Sequence, residues 1–426
     1  MAATLLLVTF VGLLVLNVPI ALCLGASSVV AMLVSGVPMD VLAMNMYSSI
    51  GKFTLLAIPF FVLAGNIMEK AGISEKLIEF ANKMVGHTKG GLGIVCVITS
   101  CFFAAISGSG PATVAALGVI LIPAMINAGY GAGLSSALMS AAGSIGIIIP
   151  PSIAFVVYGA IAGVSIGRTF IAGIVPGLLM GALLIIATLF LISKKDIVKQ
   201  PKASRKEKWD SFKDAFWGLL MPVIILGGIY GGVFTPTEAA AVSAVYGLFV
   251  GVIVYKKVKL KDFYDILVNS SVQSGQIMLI VACASLFSWI CTTEGIADMA
   301  STLLLSISNN KIIFLLIVNV ILLIAGFFLD AISAMYIFVP IMLPVAMSLG
   351  YDPVAFGIVM TMNLAIGQIT PPVGVNLYVA CGIGNISLKE ISKWVVPLVV
   401  ASVVALLLVT YIPQISLFLP DIMGIL

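Results

Sequence analysis

The sequence has little charge. Of its 426 residues, 61% are hydrophobic and only 9% are charged, and the mean hydropathy is +1.23. In soluble domains about a quarter of the residues are charged, so the composition excludes a soluble globular protein. It predicts a polytopic membrane protein in contact with the lipid bilayer. The basic residues lie in short segments between apolar runs, so the net charge of +4 does not indicate nucleic-acid binding.

Residues needed for several kinds of chemistry are scarce. The single histidine, His87, lies among lysines, so no histidine-based metal site or triad can be built. No phosphate-binding loop of the Walker type occurs, which argues against ATP-driven transport by this chain. The six cysteines lack metal-ligand spacing and are interpreted as buried small hydrophobic residues. A dyad of Ser109 with Lys70 or Lys76 is the one enzymatic alternative. We predict no enzyme and no catalytic residue.

One stretch of the chain occurs twice, at a constant offset of 221 residues. The first copy runs from Ser107 to Ser152 and the second from Leu329 to Pro372. Over positions 120–151, 10 of 32 residues are identical to their counterparts without a gap. Each copy has a short polar cluster, an apolar stretch and a Pro-Pro break inside a further apolar stretch. Paired breaks in two halves of a membrane protein indicate a transporter binding site.

Apolar runs of spanning length give a map of the chain. The first half is predicted to have helices at 3–16 and 18–35, an interfacial segment 38–51, a span 53–69, an amphipathic helix 73–86, a re-entrant hairpin 90–126 with its tip at Ser107–Thr113, a helix 131–163 broken at Gly146–Ser152, and a span 169–192. The second half is predicted to follow the same order: 215–233, 237–255, interfacial 260–270, span 272–291, interfacial 295–307, hairpin 312–347, broken helix 353–385 and final span 394–418.

Basic residues predict the orientation. Eight Lys or Arg residues lie in 193–214 and four more in 256–261, and the positive-inside rule places both segments in the cytoplasm. The first hairpin then enters from the cytoplasmic face and the second from the external face. We therefore predict an all-α polytopic membrane protein of two inverted repeats, with about ten transmembrane helices, two re-entrant helical hairpins and discontinuous helices at the binding site. Segment 193–214 is interpreted as a solvated linker between the repeats.

The helix breaks and hairpin tips form the candidate site. Unpaired backbone groups cannot face lipid, so the breaks at Gly146–Ser152 and Gly367–Val373 must be enclosed in protein or line a water-filled cavity. Free carbonyls at the end of a half-helix suit sodium, and free amides at the start of one suit a carboxylate. The tips offer oxygen ligands for a hard cation: Ser107, Ser109, Thr113, Asp330 and Ser333. One half-site per repeat indicates two sodium ions flanking one substrate.

Asp330 is the one acidic residue deep in a hairpin. An intramembrane carboxylate is costly and usually functional, so it is interpreted as a sodium or proton site. A structural cap of a half-helix is the alternative.

Glu238 is interpreted as part of a helix N-cap. Arg168 is interpreted as a side chain that snorkels to the interface, with contact to an anionic substrate or a partner as the alternative. A channel is the non-enzymatic rival, but inverted repeats with broken helices favour a transporter.

Four segments carry a resemblance to a known family. They are Ala104–Thr113 (AAISGSGPAT), Gly146–Ser152 (GIIIPPS), Gly367–Gly374 (GQITPPVG) and Ile58–Gly65 (IPFFVLAG). Over essentially the whole chain, the sequence resembles the large membrane subunit of tripartite ATP-independent periplasmic (TRAP) transporters, and its overall pattern is similar to that of the sialic-acid members. The resemblance implies a multi-pass protein of the bacterial inner membrane with an elevator mechanism. It also implies sodium-coupled import of an organic acid: a C4-dicarboxylate, a 2-oxo acid or a sialic acid.

The resemblance implies two protein partners. One is a small four-helix membrane subunit, and the other is a soluble periplasmic substrate-binding protein that delivers the cargo. Because the chain begins directly in the large-subunit region, we expect the small subunit to be a separate chain. We expect no cofactor, with sodium as the coupling ion, two or more per cycle. The alternative is a self-sufficient sodium–anion symporter of the divalent-anion type, which would need neither partner.

Carried over to this chain, the resemblance implies two sodium sites and one substrate site between them. Each sodium site combines a hairpin tip with the break of the same repeat. The implied sodium-site residues are Ser107, Gly108, Ser109, Gly110, Thr113, Gly146, Ile149, Pro150, Asp330, Ser333, Gly367, Thr370 and Pro371. The implied substrate-site residues are Ser109, Ser152, Ser333, Thr370 and Val373.

The predicted elevator divides the chain into scaffold and moving parts. Residues 1–89 are assigned to scaffold helices and interfacial arms, and 90–165 to the first half of the transport domain. Residues 166–271 are assigned to scaffold helices with the basic linker, 272–385 mainly to the second half of the transport domain, and 386–426 to a C-terminal helix.

Overall fold

The computed structural model describes residues 1–307 and 310–424. These residues form helices and no strand. In chain order the helices are α1 Ala2–Val15, α2 Ile20–Ser35, α3 Asp40–Ile50, α4 Ala57–Lys70, α5 Ile73–Val85, α6 Gly91–Ser107, α7 Gly110–Asn127, α8 Ala132–Ser144, α9 Ile153–Ala162, α10 Ile166–Leu191, α11 Arg205–Tyr230, α12 Pro236–Leu248, α13 Leu260–Thr293, α14 Ile296–Ile307, α15 Lys311–Phe328, α16 Ala331–Ser348, α17 Pro353–Gly367, α18 Val375–Gly384, α19 Leu388–Tyr411 and α20 Gln414–Ile422. Short 3-10 turns precede α4 and follow α8, and a π-helical turn extends α12.

The chain is a multi-helical protein with the lengths and hydropathy that membrane spans need. Within the described residues, nine helices are at least 18 residues long and apolar enough to cross a bilayer. The predicted all-α polytopic class is therefore confirmed. Residues 425 and 426, at the end of the predicted C-terminal segment 386–426, lie outside the described residues.

Two hairpins form at the predicted positions. Helices α6 and α7 are separated only by Gly108 and Ser109, and Gly93 at the base of α6 donates its N–H to the Tyr130 hydroxyl beyond α7 at 3.0 Å. Helices α15 and α16 are separated by Leu329 and Asp330. At their base the Lys311 ammonium donates to the Gly350 carbonyl at 2.9 Å. Each hairpin is therefore closed at its base by a polar contact.

The order of helices repeats along the chain. A hairpin (α6 and α7), a broken helix (α8 and α9) and a long helix (α10) are followed in the second half by α15, α16, α17, α18 and α19 in the same order. Helices α7 and α8 begin at residues 110 and 132, and α16 and α17 begin 221 residues later, at 331 and 353. The offset seen in the sequence is thus kept by the helix boundaries.

Three predicted boundaries are wrong. Helix α11 begins inside the predicted linker, at Arg205, because Ser204 and Glu207 form a reciprocal capping box. The predicted interfacial segment 260–270 and span 272–291 are one continuous helix, α13, because no proline interrupts residues 260–291. The predicted final span 394–418 begins earlier, after the cap Ser387, and is interrupted before α20.

The charged residues outside the hairpins hold helices together. Glu238 accepts a hydrogen bond from the Thr235 N–H at 2.8 Å and completes the cap of α12, as predicted. Arg168 does not simply snorkel, because its guanidinium lies 3.7 Å from a carboxylate oxygen of Asp352 and 4.0 Å from one of Asp421. The ion pair joins the start of α10 to the cap of α17 and to α20.

The two halves of the chain interlock at their broken helices. The Tyr158 hydroxyl of α9 donates to the Pro353 carbonyl at the start of α17, and the Tyr158 ring lies against Gly357. Helix α8 packs on α18 and α19, and α10 packs on α6, α17 and α19. The hairpins, the broken helices, α10 and α19 therefore make one packed unit, which we call the core helices.

Gly357→Ala should destabilise the protein. A Cβ at position 357 would lie 2.3 Å from the ring of Tyr158, whose hydroxyl is anchored on Pro353, so the ring has little freedom to move aside. Overpacking of this kind costs about 1–3 kcal/mol. We expect a lower midpoint of thermal unfolding in detergent.

The matched control is Gly227→Ala in α11, where a Cβ would meet no atom within 4 Å. Alanine has the higher helix propensity, so this control should be neutral or slightly stabilising. Equal midpoints for the two variants would contradict the interlock.

Candidate functional site

The first hairpin tip is a cluster of oxygen atoms. The hydroxyls of Ser107 and Thr113 lie 3.0 Å apart, and the Thr113 hydroxyl donates to the Ser109 carbonyl at 2.8 Å. The Ser107 hydroxyl is also 3.4 Å from that carbonyl. Ser107 and Thr113 are buried. Two hydroxyls and one carbonyl thus converge in a small volume shielded from solvent.

The first break lies directly against this tip. A Cβ on Gly146 would be 2.7 Å from the Ser109 carbonyl oxygen and 2.8 Å from the Thr113 hydroxyl oxygen. Gly108 has a φ of +60°, and a Cβ there would lie 2.8 Å from the Pro151 carbonyl oxygen. Glycine at 146 allows the close approach, and glycine at 108 also allows the left-handed turn. The structure brings together the predicted residues of the first tip and the first break.

Ser152 satisfies the backbone at the first break. It is fully buried, it caps α9 by accepting the Phe155 N–H at 3.4 Å, and its hydroxyl donates to the Ile147 carbonyl at 2.6 Å. Both partners are groups that a broken helix would otherwise leave unpaired. The structure thus places this predicted substrate residue in a structural role. Ile149 and Pro150 are buried in the same break.

The second hairpin tip is built around a carboxylate. Asp330 caps α16, accepting the N–H groups of Ile332 and Ser333 at 2.9 and 3.0 Å, and the Ser333 hydroxyl donates to its other oxygen. Ser333 is fully buried, whereas Asp330 is half-buried. The capping alternative for Asp330 is therefore present in the structure, and it leaves the carboxylate partly open to the space beside the tip.

The second break is less closely joined to its tip. Gly367 packs on Gly326 of α15, where an added Cβ would lie 2.5 Å from backbone atoms, and the Thr370 hydroxyl donates to the Ile366 carbonyl at 2.7 Å. None of the described hydrogen bonds joins Asp330 or Ser333 to the break. The predicted residues Thr370, Pro371 and Val373 are half-buried and do not line the cavity between the tips.

Two side chains of the second half reach the first tip, and sequence reasoning missed both. A Cβ on Gly110 would lie 2.3 Å from Oε1 of Gln368 and 3.2 Å from Oδ1 of Asn376. Both oxygens are buried and accept no hydrogen bond from a described residue. Asn376 donates through its amide nitrogen to the Ser140 carbonyl at 3.3 Å. The only feature of the sequence that could have indicated these two residues is that an amide side chain lies on either side of the Pro371-Pro372 pair.

A cavity of about 350 Å³ separates the two tips. It joins a second cavity of about 420 Å³ that opens beside α4 and α13. The described lining of the two cavities contains no lysine or arginine, and its acidic side chains are Asp330 and Glu69. Of the five predicted substrate residues, Ser109 lines both cavities.

Three helices begin at this space. Pro111 in the first turn of α7, Ile153 at the start of α9 and Ala331 at the start of α16 all line the cavity between the tips. Helix N-termini carry unpaired N–H groups and a partial positive charge, so they bind anions. With no cationic side chain in the described lining, these termini are the groups that would favour an anionic ligand.

Helical hairpins and broken helices that surround a shared cavity are typical of membrane transporters. The comparisons with known proteins give the family. A family model described as the tripartite ATP-independent periplasmic transporter DctM component matches residues 7–415. The chain belongs to this family of transporter permeases, which confirms the resemblance to TRAP large subunits, and it is a multi-pass inner-membrane protein.

Relatives with named substrates are similar over most of this chain. The isethionate TRAP transporter permease DctMQ of Oleidesulfovibrio alaskensis is 45% identical over 95% of the chain, which spans 64% of that longer protein. The C4-dicarboxylate large permease DctM of Rhodobacter capsulatus is 40% identical over the full length of both. The sialic acid large permease SiaM of Vibrio cholerae is 41% identical over 89% of each chain.

A solved structure shares the fold. The YdaH transporter of Alcanivorax borkumensis aligns with a TM-score of 0.61 over 87% of both chains, at 16% sequence identity.

Asp330→Ala should lower the stability of the protein, whereas Asp330→Asn should not. Asparagine keeps an oxygen that accepts the two N–H groups at the start of α16, and alanine keeps none. Loss of an N-cap costs about 0.5–2 kcal/mol. The midpoints of thermal unfolding of the two variants in detergent test this expectation. If the alanine variant unfolds at the wild-type temperature, Asp330 does not stabilise the helix start.

Proposed function

We propose that this chain is the permease subunit of a sodium-coupled importer of organic acids. The observation that carries the proposal is the cavity between the hairpin tips, which is lined by the starts of three helices and by the Asp330 carboxylate, with no lysine or arginine in its described lining. An organic acid suits such a cavity because helix N-termini bind carboxylates and sulfonates through N–H groups. The named substrates of the relatives, isethionate, C4-dicarboxylates and sialic acid, are all organic anions.

The first tip is the proposed site of one sodium ion. Sodium prefers oxygen ligands, and two hydroxyls and a carbonyl converge at Ser107, Ser109 and Thr113 within contact distance of Gly146. The second sodium ion is assigned to Asp330 and Ser333 with the backbone around Gly367 and Thr370. A sodium ion at Asp330 would offset the one acidic charge between the tips, and the anion would then meet a less negative cavity.

The core helices are the proposed moving part. Helix α10 was assigned to the scaffold by the sequence, but its main contacts are with α6, α17, α19 and α20. We therefore place α10 and α19 with the hairpins and broken helices. The outer helices α1–α5 and α11–α14 are the proposed scaffold, and the two groups would move relative to each other in an elevator mechanism. In this proposal the two repeats are inverted with respect to the membrane.

The proposed partners are a small membrane subunit and a soluble substrate-binding protein. The family description names one component of a tripartite transporter, which supports two further components. The rival proposal is a sodium–anion symporter that needs no partner. The two differ in whether transport requires the binding protein.

Uptake into proteoliposomes tests the function. The permease and its small subunit would be reconstituted with an inward sodium gradient, with and without binding protein, and offered labelled succinate, isethionate or N-acetylneuraminate. We expect uptake of at least one acid that needs both sodium and the binding protein. Uptake that ignores the binding protein would favour the self-sufficient symporter, and sodium-independent uptake would contradict the coupling.

Thr113→Val should weaken sodium binding. The valine side chain is isosteric but removes one oxygen from the first tip. The loss of one such contact, about 1.4 kcal/mol, corresponds to roughly a tenfold higher sodium concentration for half-maximal effect. The measurement is the rise in the thermal midpoint during a sodium titration, with choline keeping the ionic strength constant.

Thr99→Val is the control for this titration. Thr99 is also fully buried, but its hydroxyl has no hydrogen-bond partner among the described residues and lies outside the tip. This variant should respond to sodium as the wild type does. If both variants titrate like the wild type, the first tip holds no sodium.

A further inference from the structure

The two cavities meet at a narrow set of residues. Five residues line both the cavity between the tips and the cavity that opens beside α4. Three belong to the core helices and their tips: Ser109, Pro111 and Ile153. The other two, Gln276 and Ile277, belong to α13 of the outer helices. A ligand that moves from one cavity to the other must therefore pass between the first tip and this short stretch of α13.

Gln276 is an unusual side chain for its place in α13. It is followed by Ile277, Met278, Leu279 and Ile280, and it lies in a membrane-spanning helix. Its side chain is exposed and forms no hydrogen bond with any described residue. A primary amide in such a stretch is costly when it faces lipid, whereas a place in a hydrated cavity removes that cost.

The orientation of α13 is fixed near this point. Ser270 accepts a hydrogen bond from the Asn66 amide of α4 at 2.8 Å, and Gln273 and Gln276, which follow at three-residue steps, line the same cavity as Asn66. Gln273 lines only the cavity that opens beside α4, whereas Gln276 lines both cavities. The two glutamines are thus three residues apart on α13, and only Gln276 lies where the two cavities share their lining. Gln273 is therefore a matched control for Gln276.

We propose that Gln276 is a specificity-determining residue that hydrogen-bonds to a second polar group of the transported acid. The proposal rests on the proposed function, because it takes the cavity between the tips as the place where the acid group binds. The acid group then lies at the helix N-termini, and the rest of the molecule points toward α13. A glutamine amide offers two donors and one acceptor, which suits a hydroxyl group or a second carboxylate. Acids that lack such a group leave the amide unpaired.

The position of Gln276 on an outer helix has a mechanical consequence. The N-termini belong to the core helices, so a movement of the core relative to α13 keeps the acid group bound and breaks the hydrogen bond to Gln276. The substrate is therefore held by both parts in the arrangement seen here and by the core alone after the movement. Gln276 adds affinity and discrimination in this arrangement only.

Variants at the two glutamines test the proposal in the reconstituted transporter. Whichever of succinate, isethionate or N-acetylneuraminate is taken up by the wild type serves as the probe. Gln276→Leu should raise the KM for that probe about five- to tenfold, as expected for the loss of one hydrogen bond. Gln276→Glu, which keeps the shape and adds a negative charge, should raise KM further because it repels the anion. The same changes at Gln273 should have a smaller effect.

The second polar group is tested with paired competitors. Butyrate differs from succinate by one carboxylate, and ethanesulfonate differs from isethionate by one hydroxyl. In the wild type the acid with the second group should compete better, and Gln276→Leu should reduce that preference about five- to tenfold. The binding protein is the same in every assay, so a change between variants belongs to the permease. An unchanged preference and an unchanged KM in both Gln276 variants would overturn the proposal.

A labelling experiment on Gln276→Cys gives a readout that does not depend on transport. A water-soluble maleimide should react with this cysteine, as measured by mass spectrometry of the peptide, and the probe acid with sodium should slow the reaction at least fivefold. The cysteine variant of Gln273 should be protected less. Equal labelling with and without probe, in a transporter that takes up the probe, would overturn the proposal. Absence of sodium-driven uptake by the wild type would instead contradict the proposed function.

Discussion

Every part of the candidate site depends on one constraint, which is that a backbone group inside a membrane must find a partner within the protein. Two hairpin turns and two helix breaks leave helix ends where a continuous span would have none. Three of the four helices that begin there have a side-chain cap, because Ser109 caps α7, Ser152 caps α9 and Asp330 caps α16, whereas α18 begins after Gly374 without one. The starts of α7, α9 and α16 line one shared cavity.

The two halves meet this constraint with different chemistry. The first tip uses neutral hydroxyls and lies tightly on its own break through Gly108 and Gly146. The second tip uses a carboxylate, and Gly367 of its break packs on Gly326. The two repeats thus share the same order of helices but differ in the chemistry of their hairpin tips. Under the proposed function, the two tips therefore differ in charge, and hence in their affinity for a cation.

The sequence was sufficient to predict the structural features that occur in both repeats. It was insufficient to predict those that occur in only one. The 221-residue offset located both hairpins and both breaks, because helix breaks need glycine and proline and these residues are conspicuous in an apolar chain. The continuity of α13 and the early start of α11 were missed because apolar periodicity does not reveal them: α13 continues through a polar stretch around Ser270, and α11 begins at the capping box of Ser204 and Glu207. Gln368 and Asn376 were missed for a related reason. They approach Gly110, which lies more than 250 residues away in sequence, and their counterparts in the first repeat are Ile147 and Phe155.

Under the proposed function, the charges that line the cavity couple the binding of sodium to the binding of the organic acid. Three helix N-termini supply partial positive charge, and Asp330 supplies a full negative charge beside one of them. An anion entering alone would gain the N–H groups but meet the carboxylate. A cation bound at the carboxylate removes that repulsion, and an anion bound nearby stabilises the cation in turn, because coupling between two binding sites is reciprocal. On the proposed function, sodium and the organic acid therefore favour each other's binding through charge balance. Under the proposed function, a lysine or arginine in this lining would hold the anion without sodium, and the acid would no longer need its coupling ion.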